Sequence, residues 1–472
     1  MFERHLLTDE GMERIGEAVL TVLEKVGAKY QSDEILKALE AKGAKVDHSR
    51  QVATFPHRMT HDFLDGIRKE HVQGKGDDKG HHKFTAPGQP KLFHQLAQYF
   101  YDCEKRERRI GNREDYIHLL KFGDALHRAD GVGHCLLLSD VPALVEPLEV
   151  TLMQFEHVHR PRGAYVQDVR QIEYLMEMED ISGVKDLTWL ANCGFSSPLR
   201  LGKDIADRFV RKIKRDDTAN LYIMTISGAG TPVTVAGTIV LAAAEFMANW
   251  MAGRAISPTA RLSAGSWIAT MDMHSGEASY HTPDAIVRNF GIREFMRRWT
   301  GIATGAGGGS YCPAKVPGIH ATLEKAYRAM AVSAFAGSHP GIGIGLLDGG
   351  LAISPVQFLL DCEMSKALEH LNSPIEVNEE TIGLDAILDV GHAEKTNYME
   401  AEHTVKHFRS ATWLPELLDR NGWIGPESEE RVLKRAQERV NDLVASYEKP
   451  DVDEDMLNKL RAVVERARKE LT

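Results

Sequence analysis

The side chains with chemistry to offer are histidines, cysteines, lysines, carboxylates and aromatic rings, and their spacing narrows the reactions they can serve. His134 and Cys135 are adjacent, Cys193 and Cys312 lie far off, and no HxC or CxxC pair occurs, so a zinc thiolate centre is not expected. Glu402-His-Thr-Val-Lys-His407 sets two histidines four apart on one helical face. Without the HExxH order they read as a packing and hydrogen-bonding pair. No GxSxG elbow is present, which leaves a serine hydrolase unsupported, and nothing around Lys315 or Lys325 singles either out for Schiff-base chemistry.

Gly305-Ala-Gly-Gly-Gly-Ser310 holds four glycines in six residues, which lets backbone approach a ligand closely or take positive φ. It lacks the Lys-Ser/Thr ending of a phosphate loop. Close approach to a large ligand, through Gly307, Gly308 and Gly309, and plain turn chemistry both remain open. Ser227-Gly-Ala-Gly-Thr-Pro-Val-Thr234 is expected to open a helix, with Thr231 as cap and Pro232 in the first turn. Aromatic residues fall near expected strand ends at Tyr165, Phe195, Tyr222, Trp267 and Tyr311, with Trp413 further along; together with Asp348 they would make a cation-attracting cup.

The elements that must position these groups are legible in outline. Thr8-Asp-Glu opens a helix with Ile15, Val19, Val22, Leu23 and Val26 at helical spacing, ending at Gly27; a second helix starts at Ser32 and stops near Gly43, before a short strand over Gln51 to Phe55. From about residue 125, β-rich runs alternate with amphipathic helices. The runs are Gly133 to Leu138, Ala164 to Gln167, Leu187 to Phe195, Leu221 to Ile226, Leu262 to Ile268, Gly301 to Gly309 and Gly337 to Leu347. Such alternation lays strands parallel, because each helix crosses back over the sheet.

The expected fold is α/β, a TIM (β/α)8-type barrel. Residues 1–125 form an N-terminal helical extension with a flexible loop near 69–90, 126–415 the barrel, and 416–472 a C-terminal helical tail. A doubly wound open sheet competes, but no GxGxxG turn follows the first strand. The tail places Leu433, Ala436, Val440 and Leu443 on one stripe, expected to dock or to form a homo-oligomer.

With 57 Lys+Arg against 68 Asp+Glu, the net charge of −11 argues against a nucleic-acid partner. No apolar run approaches the ~20 residues that cross a bilayer, and the acidic N-terminus is unlike a signal peptide, so no membrane association and a cytoplasmic location are expected. Five scattered cysteines suit a reducing compartment.

Several longer stretches carry a resemblance. Gly228-Ala-Gly-Thr-Pro-Val-Thr-Val-Ala-Gly-Thr-Ile-Val-Leu-Ala-Ala-Ala-Glu245, Pro317-Gly-Ile-His-Ala-Thr-Leu-Glu324, Leu347-Asp-Gly-Gly-Leu-Ala-Ile-Ser354, Leu360-Asp-Cys-Glu363 and Glu402-His-Thr-Val-Lys-His-Phe-Arg409 resemble the trimethylamine methyltransferase family, as do Leu23-Glu-Lys-Val-Gly27 and Lys42-Gly-Ala-Lys-Val-Asp47. The resemblance covers nearly the whole chain. It implies a barrel that moves a methyl group from a methylated amine to the cobalt of a cobalamin-type corrinoid on a separate protein. Only the twenty ordinary residues occur, so the chain resembles the branch without pyrrolysine, which takes quaternary amines such as glycine betaine. The family's aspartate-lysine step after the sixth strand is replaced by Cys312-Pro-Ala-Lys315.

A quaternary ammonium already carries a neutral amine as leaving group, so a cobalt(I) nucleophile implied by the resemblance needs neither a general acid nor zinc to take its methyl. What remains for the protein is positioning and water exclusion. Tyr165, Phe195, Tyr222, Trp267, Tyr311 and Asp348 are the expected pocket walls. For a betaine carboxylate the candidate donors are His339, His403 or the amides of the glycine-rich loop. No catalytic side chain is singled out. Two rival readings stay open: a lyase or isomerase with a phosphate-bearing ligand at Gly305 to Ser310, and a non-catalytic binder of methylated amines.

Overall fold

The computed structural model describes residues 5–472 except 73–88, 93–94, 186, 190–192, 307–310, 337–340, 372, 374 and 393–396. Two capped helices open it. The Thr8 side chain accepts from the Gly11 amide at the start of Asp9–Lys25, and Ser32 accepts from Ile35 ahead of Asp33–Ala41. Short strands Ala28–Tyr30, Lys45–Asp47 and Val52–Thr54 pair antiparallel beside them, and Ala28–Tyr30 also pairs parallel with Arg200–Leu201. A third helix, His57–Val72, completes this layer. Much of the loop expected near 69–90 lies outside the described residues.

The rest is a mixed α/β fold in which parallel neighbours follow chain order. Ala97 bridges Leu136, Val132 bridges Pro161, Ala164–Tyr165 pairs with Thr188–Trp189, Cys193–Gly194 with Leu221 and Tyr222, and Gly265 bridges Gly305. The longest pair, Thr218–Ser227 with Arg261–Met271, runs parallel over ten residue pairs. Tyr99–Asp102 continues the series by pairing parallel with Ala352–Ile353 and antiparallel with Glu107–Ile110. Among the described residues these strands make four small sheets, and no pairing joins Gly305 to Leu346–Leu347.

Helices Lys203–Asp216, Val235–Ile256, Pro283–Thr300, Ile319–Ala331 and Pro355–Leu371 alternate with these strands. The cap expected at Thr231 is instead Thr234, whose hydroxyl accepts from Gly237; the Thr231 hydroxyl is engaged with Thr238, so the helix starts three residues later than Pro232. Val235–Ile256 is long and apolar enough to cross a bilayer, which the sequence reading did not anticipate, but it is buried from Thr238 through most of its length and carries Glu245 and Asn249 in the core.

Residues 97–127, grouped above with the N-terminal extension, share one buried cluster with Val132 to Val158 and with Ile344 to Cys362, so packing does not change at residue 125. The tail stripe is satisfied within the chain. Ala436, Val440 and Leu443 of Ser428–Ala445 join that same cluster, with Leu433 packed against it. Glu454–Leu471 lies against Glu146–His157 and Ile172–Ser182.

Candidate functional site

Strand Thr218–Ser227 alternates. Ala219, Leu221, Ile223 and Thr225 are buried, whereas Asn220, Tyr222, Met224 and Ile226 face the other way and are less covered. Met224 is 47% exposed although its strand has neighbours on both sides. On a central strand that exposure leaves this face open to solvent, a hollow rather than a packed interface. On the adjacent strand the residues in register with this face are Gly265 opposite Tyr222 and Trp267 opposite Met224.

Four rings converge on that hollow. Tyr222 stacks on Trp267 at 4.6 Å and 15°, Trp267 meets Tyr311 edge to face at 6.5 Å, and Tyr311 meets Tyr280 at 5.6 Å. These spacings are those of attractive aromatic pairs. Two glycines make room: a Cβ at Gly265 would stand 2.6 Å from Tyr222 Cε1, and one at Gly350, whose φ is +96°, would overlap the Tyr311 ring. Burial raises the pKa of Tyr222 and of Tyr280, and with Tyr280 beside it the Tyr311 hydroxyl is pushed up to about 12. All three phenols are therefore neutral at physiological pH. Trp267 Nε1 is buried with no hydrogen-bond partner, as is Thr304 Oγ1 on the neighbouring bridge segment.

Behind the rings, Arg328 donates to the Tyr280 carbonyl at 2.6 Å, and burial lowers its pKa to about 10, still a cation. His281 is buried with both ring nitrogens unpartnered; desolvation first, then Arg328 and Lys325, press its pKa far down and keep it neutral.

The structure sorts the sequence candidates. Tyr222, Trp267 and Tyr311 come together. Tyr165 stands apart, its hydroxyl accepting from Arg208 at 3.2 Å and that guanidinium 5.7 Å from its ring centroid, so a cation of the chain already occupies this ring. Phe195 is a core residue, buried edge-on against Tyr30 at 6.1 Å. Asp348 is not an open anion. It is paired with both Arg108 and Lys315, which corrects its expected role as the cup's negative charge. His403 belongs to the helix Glu402–Ala411, its ring tilted against His407 at 4.6 Å and bonded to the Glu380 carbonyl at 3.0 Å; no ring of the cluster is among these partners. Trp413 pairs with Arg420. His339 and Gly307, Gly308 and Gly309 lie outside the described residues.

Tyr280, Met224 and the Tyr99–Arg108 pair were missed. Arg108 lies 4.4 Å from the Tyr99 ring centroid while holding Asp348. The motif carboxylates have structural duties: Asp361 takes Lys325 Nζ at 2.7 Å in the core, and Glu363 accepts from the Leu417 amide at 3.0 Å. Cys135, Cys312 and Cys362 are separate buried thiols, each raised in pKa by desolvation.

Comparison with known proteins places the chain among methyltransferases. The chain is 24% identical over 469 residues to a trimethylamine methyltransferase, MttB, of Desulfitobacterium hafniense, covering 97% of this chain and 93% of that one. It is 22% identical to a glycine betaine methyltransferase of the same species, covering 99% of this chain and 98% of that one. Alignment with the crystal structure of the Methanosarcina barkeri monomethylamine methyltransferase MtmB covers 92% of both chains at 12% identity, with a TM-score of 0.43. The family model described as trimethylamine methyltransferase (MTTB) matches residues 2–472, so the chain belongs to that family of methyl-transferring enzymes.

Proposed function

We propose that this protein takes a methyl group from a quaternary amine of the betaine class and passes it to the reduced corrinoid of a separate protein, within a (β/α)8 barrel whose mouth is the aromatic hollow. The observation that carries the reading is the convergence of Tyr222, Trp267, Tyr280 and Tyr311 on one hollow with Asp348 already neutralised beside them. A quaternary ammonium has no N–H to donate. It is held by ring faces and dispersion, at about 0.5–2 kcal/mol per cation–π contact. The parallel neighbours in chain order support the barrel.

The charge balance at the turn favours a betaine over a bare tetraalkylammonium. Arg108 and Lys315 share one carboxylate, Asp348, which leaves one positive charge over. Their side chains are 44% and 60% exposed, so both remain able to turn toward a substrate carboxylate. The chain's contribution is to fix the N-methyl carbon toward the mouth and keep water from it. As the C–N bond breaks, its electron pair stays on nitrogen, which leaves as a neutral tertiary amine with no proton required. The corrinoid, when docked, supplies the low-valent cobalt that accepts the methyl. Exposed Val316, Ile319, Leu323 and Leu351, next to Lys315 and Gly350 in the chain, offer an apolar rim for its carrier.

The test is incubation with glycine betaine and reduced cobalamin, following the cobalt absorbance and the appearance of dimethylglycine. Lys315→Met should weaken glycine betaine binding about tenfold, the worth of one partly exposed charge-assisted contact, and leave tetramethylammonium binding unchanged. Binding without any methyl loss, with the corrinoid protein present, would make the chain a methylated-amine binder. Equal weakening for both ligands would remove the carboxylate from the argument.

A further inference from the structure

The small sheet beside the first two helices has one buried face and one open face. In register, Lys29 stands opposite both Val52 and Arg200, Val52 opposite Asp47, and Thr54 opposite Lys45. Side chains directly opposite share a face, so Lys29, Lys45 and Arg200 stand on one side of the sheet. Ala28, Tyr30, Ala53 and Leu201 take the other side and are buried in the core. The open side walls a groove of about 620 Å³, which Lys25 in the last turn of the first helix and Arg50 in the hairpin also line.

Five cations therefore line one groove. The one carboxylate among its lining residues, Asp47, is engaged by Ser49 Oγ at 2.6 Å and by the Arg50 amide at 3.0 Å. Among the described residues none of the five cationic side chains has an ion-pair or hydrogen-bond partner. Neighbouring clefts close their charges within the chain: Lys214 pairs with Glu34 in one, Arg254 with Glu70 in a second and Arg298 with Asp9 in a third, each pair lining its own cleft. Lys29 and Arg200 are moreover like charges directly opposite on adjacent strands, which destabilises a sheet. Lysines guarding a sheet edge do not account for this, because the strand that carries Lys29 is paired on both sides. Five cations against one carboxylate leave four positive charges uncompensated, on a chain whose net charge is −11.

We infer that this groove is a binding site for a small organic phosphate of the nucleotide class, separate from the aromatic hollow. A lone carboxylate would leave most of the cations unmatched, whereas a phosphate chain carries several charges in a short span. The guanidinium forks of Arg50 and Arg200 suit its oxygens. The volume falls within the ~300–1,000 Å³ of small-molecule sites. Val26, 57% exposed, with Val46, Val52 and Pro198 gives the groove an apolar surface for the organic part. None of Tyr222, Trp267, Tyr280 or Tyr311 lines it, so its ligand is independent of the amine substrate.

Calorimetric titration of the full chain with ATP, without magnesium, should show one site whose affinity falls as salt is raised. Inorganic triphosphate should compete for that site but bind more weakly, for want of the apolar part. Both measurements are made on the wild type and survive if a variant misfolds. Lys29→Gln and Arg200→Gln should each weaken ATP binding about tenfold, the worth of one charge-assisted contact. Lys214→Gln, in a cleft that closes its own charge, should leave it unchanged. Without ligand, Arg200→Gln should unfold at slightly higher urea than the wild type, since it removes a like-charge pair; a side chain held by contacts within the chain would move the midpoint down. The inference is overturned by a chain that does not bind ATP, by binding that neither variant weakens, by triphosphate as tight as ATP, or by a lowered midpoint in Arg200→Gln. Binding of polyglutamate without binding of ATP also overturns it, and would make the groove a docking face for an acidic protein.

Discussion

Gly265→Ala tests the aromatic hollow without removing any ring. The residue is in register with Tyr222 on the neighbouring strand, and a new Cβ would lie 2.6 Å from Tyr222 Cε1, 3.0 Å from Cδ1 and 3.3 Å from Cζ. To regain an ordinary 3.4 Å contact at Cε1, ring and methyl must part by about 0.8 Å, and Trp267, stacked at 4.6 Å, limits where the ring can go. Overpacking of this kind costs about 1–3 kcal/mol of stability. Losing one stacked pair and one cation–π face costs about 1–2 kcal/mol of ligand binding, a factor of roughly 5–30 in Kd.

The assay is titration of tryptophan fluorescence with glycine betaine, paired with urea unfolding. Gly349→Ala is the control: its φ is +65° and no atom stands within 4 Å of an added Cβ, so it carries backbone strain of about 1 kcal/mol and no ring displacement. In a Tyr222→Leu background the alanine at 265 should lose most of its effect on binding, because the ring it pushes is gone. Wild-type affinity in Gly265→Ala, or an undiminished effect without the Tyr222 ring, would refute the hollow as the ammonium site.

Two further outcomes follow from buried charge. Glu245 accepts from Ser197 Oγ at 2.9 Å and the Leu199 amide at 2.8 Å, and burial pushes its pKa up from the ordinary 4.5 to about 7. Its folded form prefers the proton, so this contribution to stability is full below pH 4.5 and is lost as pH rises through 7. Relative to Glu245→Gln, the wild type should lose roughly 1 kcal/mol per pH unit between pH 6 and 7; a pH-independent gap in urea unfolding would contradict this. Lys325 and Asp361, both fully buried, pair at 2.7 Å, so Lys325→Met should cost about 3–5 kcal/mol by stranding the carboxylate, and adding Asp361→Leu should restore much of it. A single variant within 1 kcal/mol of wild type would show that the carboxylate finds other partners.

How far the sequence reaches depends on the distance over which each signal is written. Helix starts are local, so Thr8, Ser32 and the apolar spacing after them predict helices that are present. The strand-helix alternation predicts parallel neighbours for the same reason. A ring's membership of the hollow is set at longer range. Tyr222, Trp267 and Tyr311 are in contact with one another, but Phe195 falls on the core face, and a shift of one residue along a strand is enough to turn a side chain from one face to the other. Tyr280 follows a strand of two residues, Ala278–Ser279, too short for any period to mark. Asp348 was misread because its neutralising partners lie 33 and 240 positions away. The tail's apolar stripe was read correctly as a stripe, yet whether it docks on its own chain or on another depends on the exposed faces of other elements.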